Sequence, residues 1–353
     1  MKKITLFKRI SQIERINFTR NLGVMLGTGL PLSTALKILS KQSRKELLKE
    51  VLIEVRKDIR SGSSLFDSLS KHPKVFSRFY LNMVNVGEEG GTLKDSLVEL
   101  AKQMKKTHRL KSKVKGALIY PAVIFVTMIV IGIIMMLVIV PRLNVVFLQF
   151  KLTLPITTRI IITISELLST YLIFTIPVVI FLFLLARFYL KKPVGQRFSY
   201  KLIMALPVVG SLHKQLNAGL FARNLSSMVN SGVSIAKALR TTADTHKNIF
   251  YQNSLIRASQ EVKKGRPLYE IMNEYPELYP PMVTEILEVG EETGELTALL
   301  EHLASFYEEE IDQTTNNLSV IIEPALLIFV GVAVGFFAIS MLQPMYSLLE
   351  GFN

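Results

Sequence analysis

Three long apolar runs constrain the fold of this chain more than any other feature. Residues 119–140 hold no charged side chain in 22 positions. At 1.5 Å per residue a helix of that length spans ~30 Å, the hydrocarbon thickness of a bilayer. Residues 169–190 contain only Arg187, and residues 319–342 contain only Glu323. The sequence therefore predicts an all-α membrane protein with three transmembrane helices. The alternative is that each run forms a buried helix of a soluble protein. This alternative is harder to exclude for the second and third runs, because each of them contains a charged residue.

The basic residues predict which side of the membrane each connection faces, because Lys and Arg favour the cytoplasmic side. Seven basic and no acidic residues lie within 102–115, before the first run, and five basic residues lie within 187–201, around the end of the second. The connection at 141–168 carries only three basic residues and is expected outside. Acidic residues precede the third run, so its direction follows by alternation, which leaves residues 343–353 outside. The apolar patch at 4–7 is too short for a signal peptide, so the amino terminus is expected in the cytoplasm.

An internal repeat accounts for the odd number of spans. The segment Phe18-Thr-Arg-Asn-Leu matches Phe221-Ala-Arg-Asn-Leu at an offset of 203 residues, and Val86-Gly-Glu-Glu matches Val289-Gly-Glu-Glu at the same offset. The register also pairs Gly29 with Gly232, Gly62 with Gly265, Pro73 with Pro276, Gly91 with Gly294, and Pro121 with Pro324. Each copy is a helical domain (1–118 or 191–318) followed by its own span. The unpaired run 169–190 returns the chain between them, so the copies are expected to be parallel repeats.

Short breaks between amphipathic segments predict a helical bundle in each copy. In residues 46–60 apolar side chains recur every three or four positions, as on one face of a helix; they are Leu48, Leu52, Val55 and Ile59. Gly29 and Gly232 each follow a helical segment and are interpreted as C-terminal caps with positive φ, after which Pro31 restarts the first copy's helix. Ser64 and Asp67 are interpreted as a capping box.

The segment 87–91, Gly-Glu-Glu-Gly-Gly, is predicted to interrupt a helical pair. Its glutamates, and those of the matching Gly290-Glu-Glu segment, invite two interpretations. Glu88 and Glu291 are candidate metal ligands or partner contacts. They are also typical of a tight turn, because a carboxylate is favoured near a helix N-terminus. The sequence favours the second interpretation.

The sequence lacks the residues that several kinds of chemistry require. The chain has no cysteine and no Gly-Lys dipeptide, so it carries no thiolate site and no P-loop. Its five histidines are scattered singly. The sequence therefore predicts a protein without catalytic residues or cofactors, and any energy must come from a partner.

Charge is distributed unequally between the two copies. Residues 1–118 carry 25 basic and 10 acidic side chains, net +15, whereas residues 191–318 carry 13 and 15, net −2. The first domain is therefore expected to lie against anionic membrane lipids or an acidic partner. Nucleic acid is the competing partner, but a stacking platform of aromatic and basic residues is missing.

The chain resembles the inner-membrane platform family of type II secretion, type IV pilus and competence-pilus systems. The resemblance covers nearly the whole sequence. It rests on the repeated segments above, on Phe66-Asp with Pro73-Lys-Val-Phe, and on the span signatures Tyr120-Pro121 with Val140-Pro-Arg and Glu323-Pro324 with Pro344. The second copy departs from the first at Ser234, where the first has Pro31.

The resemblance implies two six-helix cytoplasmic domains and a non-enzymatic, homo-oligomeric assembly platform. It further implies a hexameric assembly ATPase, pilins or pseudopilins, and other inner-membrane machine components as partners. A small membrane transporter is the alternative, with Glu323 as its one candidate pathway residue. A membrane-anchored adaptor or receptor is another. The positions expected to serve structure or interaction are Gly29, Pro31, Gly62, Pro73, Gly87, Glu88, Gly91, Tyr120, Pro121, Gly232, Gly265, Pro276, Gly290, Glu291, Gly294, Glu323 and Pro324.

Overall fold

A computed structural model describes residues 10–149, 154–190, 192–205, 207–246 and 248–350. Helices account for all regular structure in these ranges. They are α1 (Gln12–Gly27), α2 (Leu32–Gln42), α3 (Glu46–Arg60), α4 (Leu65–Ser70), α5 (Arg78–Glu89), α6 (Leu93–Ile134), a π-helical stretch (Met135–Ile139), α7 (Val140–Gln149), α8 (Ile156–Thr170), α9 (Leu172–Tyr189), α10 (Pro193–Ala205), α11 (Pro207–Asn230), α12 (Ile235–Ala243), α13 (Ile249–Val262), α14 (Leu268–Asn273), α15 (Pro281–Thr293) and α16 (Leu296–Glu350). The predicted all-α class is confirmed.

The described residues form two compact units. One unit holds residues up to 113 together with 209–312, and the other holds 114–208 and 313–350. The first unit contains two six-helix bundles, built from α1–α5 with the start of α6 and from α11–α15 with the start of α16. The sequence placed residues 191–208 in the second domain, whereas the compact division assigns them to the other unit.

Each bundle packs around the apolar stripes that the sequence predicts. Helix α3 begins and ends at the predicted residues, and its Leu48, Leu52 and Val55 are buried. In the second bundle α11 is buried over most of its circumference, including Phe221 and Leu225. Because burial of such side chains stabilises a fold by roughly 1.5–3 kcal/mol each, these stripes supply the driving force for both bundles.

The predicted glycine caps at Gly29 and Gly232 are confirmed, with φ of 82° and 86°. In the first copy the Leu30 amide donates to the Met25 carbonyl at 3.2 Å, and in the second the Val233 amide donates to Met228 at 3.0 Å. This bond across five residues marks a Schellman motif. An added Cβ would meet nothing within 4 Å at either glycine, so the left-handed backbone, not close packing, requires glycine there.

Two helical segments are long and apolar enough to cross a membrane by length and composition. They are Leu93–Gln149 and Leu296–Pro344, with mean hydropathy 3.3 and 2.6 in their most apolar windows. They include the predicted first and third spans. The predicted second span coincides largely with α9 (Leu172–Tyr189). Its membrane crossing, and hence the count of three, stays a prediction.

The connection predicted at 141–168 is more ordered than the sequence suggested. It forms α7 and α8, whose Phe147, Ile161 and Ile162 pack in one apolar cluster with Val140 and Met341. The hydroxyl of Ser165 donates to the Met136 carbonyl inside the π-helical stretch. Helix α16 continues to Glu350, so the segment predicted as a tail from 343 is helical as far as that residue. Both features depend on packing between segments distant in the chain, such as Phe147 with Met341, which the sequence does not reveal.

Candidate functional site: two capped turns and the junction of the bundles

The carboxylate of Glu88 caps the start of a neighbouring helix in the first bundle. Its two oxygens accept hydrogen bonds from the amides of Leu65 and Phe66, at 2.6 and 2.8 Å. These are the first residues of α4, whose amides have no partner within their own helix. Ser64 caps the same helix by accepting from the Asp67 amide at 2.9 Å, which confirms half of the predicted capping box.

The second bundle repeats this arrangement with Glu291. Its oxygens accept from the amides of Leu268 and Tyr269 at 2.8 and 3.0 Å. A carboxylate at a helix N-terminus gains from two charge-assisted hydrogen bonds and from the helix dipole. The same bond pair in both copies therefore joins the end of α5 to α4, and the end of α15 to α14.

The glycine before each glutamate lets two helices approach closely. A Cβ on Gly87 would lie 2.5 Å from Ser96, and one on Gly290 would lie 3.0 Å from the Cα of Leu296. Both glycines lie inside helices. The predicted interruption at 87–91 is confirmed at its last residue, since the helix breaks at Gly91, and at Gly294 in the second copy; their φ values are 68° and 76°.

The geometry favours the structural role of Glu88 and Glu291 over metal binding. Both oxygens of each carboxylate already accept backbone hydrogen bonds. In the part of the chain that the structure describes, no group of three or more His, Cys, Asp or Glu side chains could hold a metal ion. What these carboxylates can do chemically is hold a helix end.

Replacing Glu88 by Ala is expected to destabilise the protein by about 1–2 kcal/mol, since two helix-start amides lose their partner. Glu291→Ala should behave alike. Glu89→Ala and Glu292→Ala are the matched controls, because these neighbouring side chains are exposed, and should change stability by less than about 0.5 kcal/mol. Urea unfolding of the full chain in detergent measures the difference. An equal loss of wild-type stability on adding EDTA would instead favour a metal.

The two bundles meet through α5 of the first and α12 of the second. Asn82 Nδ2 donates to Thr241 Oγ1 at 2.7 Å, and Arg78 forms an exposed ion pair with Asp244 at 3.2 Å. An open cleft beside this junction is lined by residues of α5, α12 and α13. The sequence could not reveal the junction, because its partners lie 159 and 166 residues apart.

A buried polar cluster distinguishes the second bundle from the first. Arg223 is 1% exposed and donates through Nε to Glu308 at 2.9 Å. In a separate buried contact of the same bundle, His246 Nδ1 lies 3.0 Å from Asn217 Oδ1, and the His246 ring stacks on Tyr251. Burial lowers the pKa of His246 to about 3, assisted by the positive charge of Lys111 and by His213. His246 is therefore neutral in the folded protein at physiological pH.

The remaining predicted positions lie apart from these turns. Pro31 is the N-cap residue of α2, and Gly62 and Gly265 end helices with positive φ. Pro73 and Pro276 lie in the connections that precede α5 and α15. Four predicted span residues lie within long helices: Tyr120 and Pro121 in α6, Glu323 and Pro324 in α16. The predicted residues therefore lie at several separate places in the fold.

Comparison with known proteins agrees with the duplicated architecture. A family model described as "Type II secretion system (T2SS), protein F" matches residues 18–141 and again residues 221–344, which reproduces the offset of 203. The chain is 35% identical to the type IV pilus assembly protein PilC of Thermus thermophilus over 94% of this chain and 82% of that protein. It is 33% identical to PilC of Myxococcus xanthus (94% and 79%) and 30% identical to type II secretion system protein F of Vibrio cholerae (96% and 83%).

Proposed function

The chain belongs to the type II secretion system protein F family, and on that premise we propose that it couples a cytoplasmic hexameric ATPase to the extraction of pilins or pseudopilins from the inner membrane. It acts as the non-enzymatic platform of a pilus or secretion machine. Both bundles lie in the cytoplasm, the chain crosses the membrane three times, and the carboxyl terminus lies outside.

The observation that carries this proposal is the duplicated unit of bundle and apolar helix. Helices α6 and α16 each contribute to a six-helix bundle and then provide a membrane-spanning candidate. A protein of this design can present two bundles to a cytoplasmic motor while its apolar helices contact membrane-embedded clients. Because the sequence contains no P-loop, the ATPase must be a separate protein.

A deletion strain tests the proposal in cells. Loss of this protein should abolish the filament or the secretion that depends on it, and the full chain should restore it. The purified chain should co-elute with the machine's assembly ATPase and show no ATP turnover that tracks its own concentration. Failure to bind the ATPase, or intrinsic turnover, would argue against the proposal.

Glu323→Gln distinguishes the platform from a transporter. Glu323 is the one charged residue of the third apolar run, so a transporter pathway would require its carboxylate. A platform should tolerate the neutral, isosteric side chain, and we expect the variant to restore the deletion strain nearly as well as the wild-type chain. Loss of complementation at normal protein abundance and stability would favour transport, whereas loss together with reduced stability would assign Glu323 the structural role expected from the sequence.

A further inference from the structure

The junction between the bundles uses two different faces, one from each repeat. The first bundle contributes α5, with Arg78 and Asn82. The second contributes the groove between α12 and α13, where Asp244 and Thr241 accept the contacts and Ile256 lines the cleft. A contact of this kind, between unlike faces of repeated units, leaves one unused copy of each face.

The offset of 203 locates the two unused faces. The corresponding groove on the first bundle lies along α2 and α3, where Lys41 is the counterpart of Asp244 and Ile53 is the counterpart of Ile256. The counterpart of α5 on the second bundle is α15. No described residue covers either face fully, since Ile53 is 51% exposed and Val289 on α15 is 48% exposed.

The unused faces carry opposite charges. The groove of the first bundle presents Lys37, Lys41, Lys57 and Arg60, all exposed. Helix α15 presents Glu285, Glu288 and Glu292, all exposed. Two of the three corresponding positions on α5 are neutral, namely Asn82 and Asn85. The Arg78–Asp244 ion pair has no counterpart, because Pro281 occupies the position of Arg78, but the unused pair opposes acidic side chains on α15 with basic side chains on the groove.

We propose that α15 of one chain docks into the α2–α3 groove of a second copy, in the manner of α5 on α12 and α13. Glu285 is the counterpart of Asn82 and Ile38 is the counterpart of Thr241, so the Asn82–Thr241 contact predicts that Glu285 lies next to Ile38. Asp244 lies one helical turn from Thr241, so its counterpart Lys41 is also close to Glu285, as is the adjacent Lys37. The contact joins unlike faces, so it propagates from chain to chain and either closes into a ring or extends as an open array. The interface does not depend on which ATPase or client the machine uses.

Charge reversal on the full chain in detergent tests the pairing. Lys37→Glu with Lys41→Glu should raise the dissociation constant for self-association roughly tenfold or more, because like charges then face each other. Glu285→Lys with Glu288→Lys should weaken it similarly. A chain carrying all four changes should regain association close to that of the wild type. Mass measurement across a concentration series reports each state.

Recovery of association in the fourfold variant would show that each reversal acts at this interface and not through unfolding or a change of net charge. Lys74→Glu with Lys105→Glu is the matched control, since both side chains are exposed in the first repeat outside α2 and α3, and should leave association unchanged. A thiol cross-linker adds an independent measure in this cysteine-free protein: Ile38→Cys in one chain should cross-link to Glu285→Cys in another, and neither should link efficiently to itself.

Three outcomes would overturn the proposal. One is association that neither reversal weakens. The second is weakening by both reversals without recovery in the fourfold variant. The third is loss of binding to anionic lipid vesicles in the groove variant with unchanged self-association, which would assign the groove to the membrane surface.

Discussion

Replacing Glu308 by Ala is expected to destabilise the second bundle by about 3–5 kcal/mol, the largest effect of any single change considered. The change leaves the guanidinium of Arg223 buried without its carboxylate, and an unpaired buried charge costs several kcal/mol. Arg223 is 1% exposed and the Glu308 side chain 26% exposed, so water can replace the lost partner only in part. Urea unfolding of the full chain, monitored by circular dichroism, measures the loss.

The first repeat provides the matched control. Arg20 occupies the position equivalent to Arg223 but is exposed, and Lys105 stands where the second repeat has Glu308. Arg20→Ala should therefore change stability by no more than about 0.5 kcal/mol. The double variant Arg223→Met, Glu308→Leu should recover most of the loss, because apolar side chains of similar volume need no partner. A loss below about 1 kcal/mol for Glu308→Ala would show that the pair is not needed for stability.

Acidification from pH 7 to pH 5 is expected to remove about 2 kcal/mol of stability through His246 alone. Burial lowers the pKa of this imidazole to about 3, from an ordinary value of 6.5. Between these values the unfolded chain binds a proton that the folded chain does not. The contribution is therefore fully present above the unfolded pKa and is lost progressively as the pH falls towards 3. Burial lowers the pKa of His213 as well, which adds to the loss in the same direction.

His246→Gln isolates this contribution. The variant cannot titrate in this range, so its stability should fall less steeply between pH 7 and pH 5 than that of the wild type. Carboxylates titrate in both proteins, and the difference between the two curves removes their effect. Parallel curves for wild type and variant would contradict a neutral, buried His246.

Local features of this fold could be predicted from the sequence, whereas contacts between distant segments could not. The boundaries of α3 and the positive φ of Gly29 follow from apolar spacing and backbone sterics within a few residues. The roles of Glu88 and Glu308 depend on partners 23 and 85 residues away. Sequence matching treats Arg20 and Arg223 alike, although one is exposed and the other buried.

The π-helical stretch Met135–Ile139 has a consequence for the symmetry of the protein. The offset of 203 runs without a gap from Pro121 and Pro324 to Pro141 and Pro344, yet α16 is α-helical throughout this region. Equal numbers of residues are thus wound differently in the two copies. One wide turn takes up about one extra residue, which turns the azimuth of everything beyond it by ~100°. Just beyond this stretch Val140 is buried whereas its counterpart Gln343 is exposed, so equivalent residues there face different surroundings. The two duplicated helices therefore match residue by residue in sequence but differ in helical pitch at this point.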